Sequence, residues 1–149
     1  MKPFSFSLDA VLFVRAREEQ AAAEAWALAV QAQTRAKEVW DAGIQELEDF
    51  HQLLEQKRCE RFRPGDQEIY LYSIAGQKIR CEQLAAEYAK AVQFAKQRHA
   101  VLLEARMKHE VLTRLRQKKM NEYTRSVQAQ EETAIQDLII VRHGRGRGI

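Results

Sequence analysis

From Leu8 onward, apolar side chains recur in alternating steps of three and four residues. One line carries Leu8, Arg15, Ala22, Ala29, Ala36, Gly43 and Phe50, and the other carries Leu12, Glu19, Trp26, Gln33, Trp40, Leu47 and Leu54. Arg15, Glu19 and Gln33 interrupt the pattern without ending it. A seam of this period over more than four heptads predicts a coiled-coil helix. Small residues alternate with large ones along it. Ala22, Ala29, Ala36 and Gly43 admit a neighbouring backbone, and Trp26 and Trp40 fill the wider layers. Gly43 costs the helix about 1 kcal/mol against alanine, so close approach of a second helix is the expected reason for it.

The pattern breaks at Phe62-Arg63-Pro64-Gly65-Asp66. Proline disfavours helix in the residue before it, glycine permits positive φ, and Asp66 is placed to cap a following helix. Helix one is therefore expected over about residues 8–61, with Ser7 as its cap and Phe6 stapled on Val11. The turn is expected at 62–66 and helix two over about 67–141. The second seam reads Tyr70, Ile74, Gln77, Cys81, Leu84, Tyr88, Ala91, Ala95, Leu102, Ala105 and Leu112. Folding about the turn sets Leu54 near Ile74, Leu47 near Cys81, Trp40 near Tyr88 and Trp26 near Leu102. The fold expected is all-α: a long antiparallel two-helix coiled-coil hairpin with a protruding C-terminal helix. The overhang of about twenty residues, roughly 30 Å, keeps a thin stripe of Met120, Tyr123, Val127, Ile135 and Leu138. That stripe needs a partner. Residues 142–149 form an Arg/Gly tail expected to be disordered.

Composition agrees with extended helix: 30% charged residues and only two prolines among 149. Cys59 and Cys81 lie at unequal distances from the turn, roughly 18 Å apart in a hairpin, too far for a disulfide. Free thiols, no membrane-spanning run and no signal peptide point to a cytoplasmic protein without direct membrane insertion. Chemistry-bearing patterns are sparse. His51, His99, His109 and His143 form no metal-ligand spacing, and no phosphate-binding glycine loop exists. A two-helix hairpin offers no enclosed pocket. No enzyme activity, catalytic residue, cofactor or metal is expected.

Charge is unevenly spread. Helix one is acidic towards the turn, at Glu46, Glu48, Asp49 and Glu55. Between Lys96 and Arg125 basic residues prevail, among them Arg106, Arg114, Arg116, Lys118 and Lys119. A solvated helix face with i,i+4 pairs such as Glu104–Lys108 explains part of this. A dock for an acidic partner is the sharper reading. Tyr123 is the sole aromatic among these basic residues, so specific nucleic-acid binding is not expected.

Three stretches resemble the flagellar FliJ family, soluble components of the type III export apparatus. Phe6-Ser7-Leu8-Asp9-Ala10-Val11-Leu12-Phe13-Val14-Arg15 is similar to that family's F-x-L-x-x-V-L-x-x-R opening. Tyr70 to Ile74 with Gln77 to Cys81 resembles its Y-x-x-F/Y-I-x-x-L-x-x-x-I segment, with Gln77 and Cys81 in more apolar places. Gln117-Lys118-Lys119-Met120-Asn121-Glu122-Tyr123 is similar to its K-K-x-D-E-[FLY] segment, with Asn121 for aspartate. The resemblance implies a coiled coil like the central stalk of rotary ATPases. Such a protein would sit in the pore of the hexameric export ATPase, contact the cytosolic domain of the export gate, and bind export chaperones. It would work at the inner membrane, at the flagellar base. Phe6, Leu8, Leu12, Arg15, Lys118, Lys119, Met120 and Tyr123 would then face the ATPase. Leu47, Phe50, Tyr70, Ile74, Gln77 and Cys81 would belong to the gate-facing region. Two other classes stand beside this one: a nucleic-acid-binding coiled-coil arm and a homodimeric coiled-coil scaffold.

Overall fold

The computed structural model describes residues 2–61 and 63–148. Two long helices pack against each other in antiparallel fashion: α1, Asp9–Arg58, and α2, Pro64–Gly146. Among the described residues there is no strand. The chain divides into two compact units, one formed by Gln20–Leu103 and the other by the residues up to Glu19 and from Glu104.

In the Gln20–Leu103 unit the expected seam is the buried one. Ala22, Ala29, Leu54, Ile74, Leu84, Ala95 and Leu102 are each at most 8% exposed. Trp40 stacks on Tyr88 with ring centroids 5.5 Å apart, in the expected register. Trp26 meets the His99 ring at 5.1 Å, one turn short of the expected Leu102. The helices pack closely at Gly43. A Cβ built there would lie 2.9 Å from Leu84 Cδ1, and 3.7 Å from both Cys81 Sγ and Gln77 Nε2. That distance is well inside normal carbon–carbon contact. The Gln77 carboxamide, 8% exposed, donates from Nε2 to the Gly43 carbonyl at 2.9 Å and to Glu46 Oε2 at 3.2 Å. A missing side chain on one helix thus admits an amide from the other. Both cysteines are free, Cys59 exposed and Cys81 half-buried.

The turn differs from expectation in detail. α1 stops at Arg58, and the last turn tightens as the Cys59 N–H donates to Glu55 and Gln56 and the Glu60 N–H to Lys57. α2 starts on Pro64 itself. Proline's fixed φ suits the first helical position, and its missing N–H would have had no partner there. The Arg63 carbonyl accepts from Asp66 and Gln67, which makes Asp66 an acid in the first turn, favourable to the helix dipole, and not the cap. Gly65 is helical, and no described glycine has a positive φ. The expected start of the turn at Phe62 lies outside the described residues.

In the unit of the two chain ends, α1 begins at Asp9, and the Leu8 carbonyl accepts from Leu12 N at 2.8 Å. Phe6 is buried, but Val11 remains 41% exposed, so the staple of Phe6 on Val11 does not cover both. α2 continues helical to Gly146, past the expected end at Val141. Arg142–Gly146 continue the helix. The preceding turns of α2 propagate at little cost once nucleated, and the basic last turn suits the helix dipole. Ile149, the last residue of the expected tail, lies outside the described residues. From residue 128 to residue 148 every residue is exposed, as a protruding C-terminal helix requires.

Candidate partner-binding site

The chain-end unit gathers residues far apart in sequence. Tyr123 donates its hydroxyl to the Lys2 carbonyl at 2.8 Å, and its ring lies 5.6 Å from that of Phe4. Arg116 sits over the Phe4 ring, and its Nε donates to Asp9 Oδ1 at 3.3 Å. About two turns inward along α2, His109 Nδ1 donates to Glu19 Oε2 at 2.5 Å and Arg106 Nε to Glu19 Oε1 at 3.3 Å. The His109 bond holds the Glu19 carboxyl below its ordinary value; desolvation opposes it, and the weaker Arg106 bond assists it. Glu19 breaks the apolar seam in sequence, yet here it ties the two helices of this unit, as Asp9 does through Arg116.

Of the residues expected to face an ATPase, Phe6 is buried, and Leu12, Arg15, Met120 and Tyr123 are half-buried between the two chain ends. Leu8, Lys118 and Lys119 are exposed. Lys119 pairs with Glu122 at 3.3 Å, an exposed i,i+3 contact worth little. Lys118 lines a shallow notch on α2 with Arg114, Gln117, Asn121, Glu122 and Arg125. Lys118 and Lys119 thus give this end an exposed basic edge beside an aromatic clasp. Farther along α2, Ile135 and Leu138 are 56% and 70% exposed.

The residues expected to face an export gate are seam residues. Ile74 and Gln77 are 4% and 8% exposed, and Leu47, Phe50, Tyr70 and Cys81 are half-buried. The two most buried present no surface to a partner. What α2 does expose near the turn is Ile69, Tyr72 and Ile79, at 66%, 83% and 58%. Gly76 lies on the same line, with open space around it. Their spacing of three, four and three was readable in the sequence as a second line on α2. The stronger apolar seam masks it in the sequence.

Among the described residues, no group of three or more His, Cys, Asp and Glu side chains could hold a metal ion. No helix in the described residues is long and apolar enough to cross a membrane. The groove bordered by Trp26, Gln33, Lys96 and His99 is open and shallow. Compared with protein-family models, curated proteins and solved structures, the chain has no significant match.

Proposed function

We propose that this chain is a non-catalytic stalk-like component of a flagellar type III export apparatus, acting on a hexameric ATPase through its paired ends. The observation that carries the reading is the clasp of Lys2, Phe4 and Asp9 with Arg116 and Tyr123. It lies beside two of the three stretches that carry the resemblance to the FliJ family, with Asp9 in the first and Tyr123 in the third. Long helices stiffened by such a clasp suit entry into a ring pore, where a basic rim makes unequal contacts with the subunits around it. A stalk stimulates turnover only by favouring one ring state over another, because differential affinity is what shifts a population. Contact with an export gate and with chaperones belongs to the same reading. For the gate, the exposed residues Ile69, Tyr72 and Ile79 are better placed than the buried Ile74 and Gln77.

The test is ATP turnover by a purified flagellar export ATPase with and without the full chain. Wild type is expected to raise turnover. Lys118→Glu/Lys119→Glu, at two exposed positions, should keep wild-type helicity by circular dichroism and lose most of the stimulation. No stimulation by wild type would end the export reading. Full stimulation by the charge-reversed variant would remove the basic rim from it.

A further inference from the structure

A second apolar line runs along α1 beside the buried one. Alternating steps of three and four lead from Val11 through Val14 and Glu18 to Ala21, and onward through Ala25, Leu28 and Ala32. The same steps reach Arg35, Val39 and Ala42. With 3.6 residues per turn, this line lies about 110° around the helix from the seam that meets α2. It is open: Val14 is 51% exposed, Leu28 66% and Val39 49%. Two seams on one helix, set at such an angle, are what a corner helix of a four-helix bundle carries.

We infer that this face pairs with itself in a second, antiparallel copy of the chain. The argument is one of charge and register. A two-fold axis passing between Trp26 and Ala27 sets Val14 opposite Val39, Ala21 opposite Ala32, and Ala25 opposite Leu28. The two charges that interrupt the line, Glu18 and Arg35, then fall opposite each other, and symmetry makes that pair twice. Sliding one copy by a heptad in either direction sets both charges against apolar residues, against Ala42 and Ala25 one way and Leu28 and Val11 the other. One register therefore satisfies the pattern and its neighbours are penalised, which is how charged residues in a seam select a partner. Both groups are available. Arg35 is exposed and makes no ion pair among the described residues. Glu18 accepts from Arg15 Nη1 at 2.8 Å in an exposed i,i+3 pair, which leaves further acceptor capacity on its carboxylate.

The area sets the strength. The line from Val11 to Ala42 is about 46 Å long at ~1.5 Å per residue, and a helix is about 10 Å across. About 500 Å² per copy, or about 1,000 Å² in all, is at the lower limit of a specific interface. The dimer is accordingly dynamic, with a dissociation constant on the order of 10 μM. This inference concerns the free chain and does not rest on the export reading.

Sedimentation velocity on the full chain, from about 1 to 200 μM around the expected dissociation constant, tests it. The mass should climb from the 17.3 kDa of one chain towards twice that value. Glu18→Arg or Arg35→Glu alone sets like charges face to face and should weaken association about tenfold or more. Glu18→Arg/Arg35→Glu restores the pair with its sense reversed and should recover association. Both positions are exposed, so circular dichroism of all three variants should match wild type. A wild-type chain that stays monomeric throughout, assembles beyond a dimer, or binds only some other protein through this face overturns the inference. A double variant as weak as the single ones overturns it equally.

Discussion

Gly43 is the position where the packing of the two helices is most exposed to measurement. Replacing it with alanine has two opposed effects. The helix gains about 1 kcal/mol from lost backbone freedom in the unfolded chain. Against that, the new methyl would lie 2.9 Å from Leu84 Cδ1, and overpacking of this kind costs about 1–3 kcal/mol. Leu84 is only 7% exposed. The clash falls on the end of a flexible side chain, Leu84 Cδ1, which can shift more cheaply than backbone. The lower end of that range therefore applies, and Gly43→Ala is expected to be neutral or destabilising by up to about 1 kcal/mol. Removing the obstruction changes the sign. In a Leu84→Ala background the same substitution should stabilise by about 1 kcal/mol, for a coupling of about 1–2 kcal/mol between the two positions. Urea unfolding followed by circular dichroism, on the four members of the cycle, gives the number. A gain of about 1 kcal/mol from Gly43→Ala in both backgrounds, hence no coupling, would refute the close approach.

Gln77 gives a second handle on the same layer. Gln77→Leu should leave urea stability within about 1 kcal/mol of wild type, because apolar burial offsets the lost bonds to Gly43 and Glu46. The Gly43 carbonyl keeps its place in the helix ladder, so no orphan remains. Gln77→Ala, which loses packing as well, should cost about 1–3 kcal/mol in the same assay. Glu19 predicts a pH effect with a definite sign. Its carboxyl is held below the ordinary 4.5, so its stabilisation is fully present above that value and is lost as pH falls through the lowered one. Thermal melts of Glu19→Gln should therefore lie below wild type near neutral pH and converge with it in acid; a gap that stays constant below pH 4.5 would contradict the assignment.

The hairpin was legible because its determinants are local and periodic. Heptad spacing marked both seams, and alternation of alanine with tryptophan foretold the layered packing that Gly43 and Trp40 display. Proline marks the turn, but α2 opens three residues before the expected start at Gln67. Its capacity to open a helix outweighed its capacity to end one, so Pro64 starts α2 and Asp66 follows within it. What sequence did not reveal depends on register between distant segments. Glu19 reads as a flaw in the pattern until His109, 90 residues away, is placed beside it. His109 itself was weighed only as a metal ligand against His99, since nothing local points to a carboxylate across the seam. The turn-proximal candidates are seam residues for a related reason. A motif drawn from seam residues names what holds the helices together, whereas the apolar residues most exposed near the turn, Ile69, Tyr72 and Ile79, lie on the outer line.

The proposed function commits to a stoichiometry as well as to an activity. A stalk that occupies the pore of a hexameric ring binds as one copy per ring, whatever its concentration, because the pore admits one hairpin. Mass photometry of the assembled ATPase titrated with this chain reads that number directly. The account predicts a plateau at the mass of the ring plus a single 17.3 kDa chain. A plateau with one chain bound to every ATPase subunit, or a ring that never gains the mass of this chain, would contradict it.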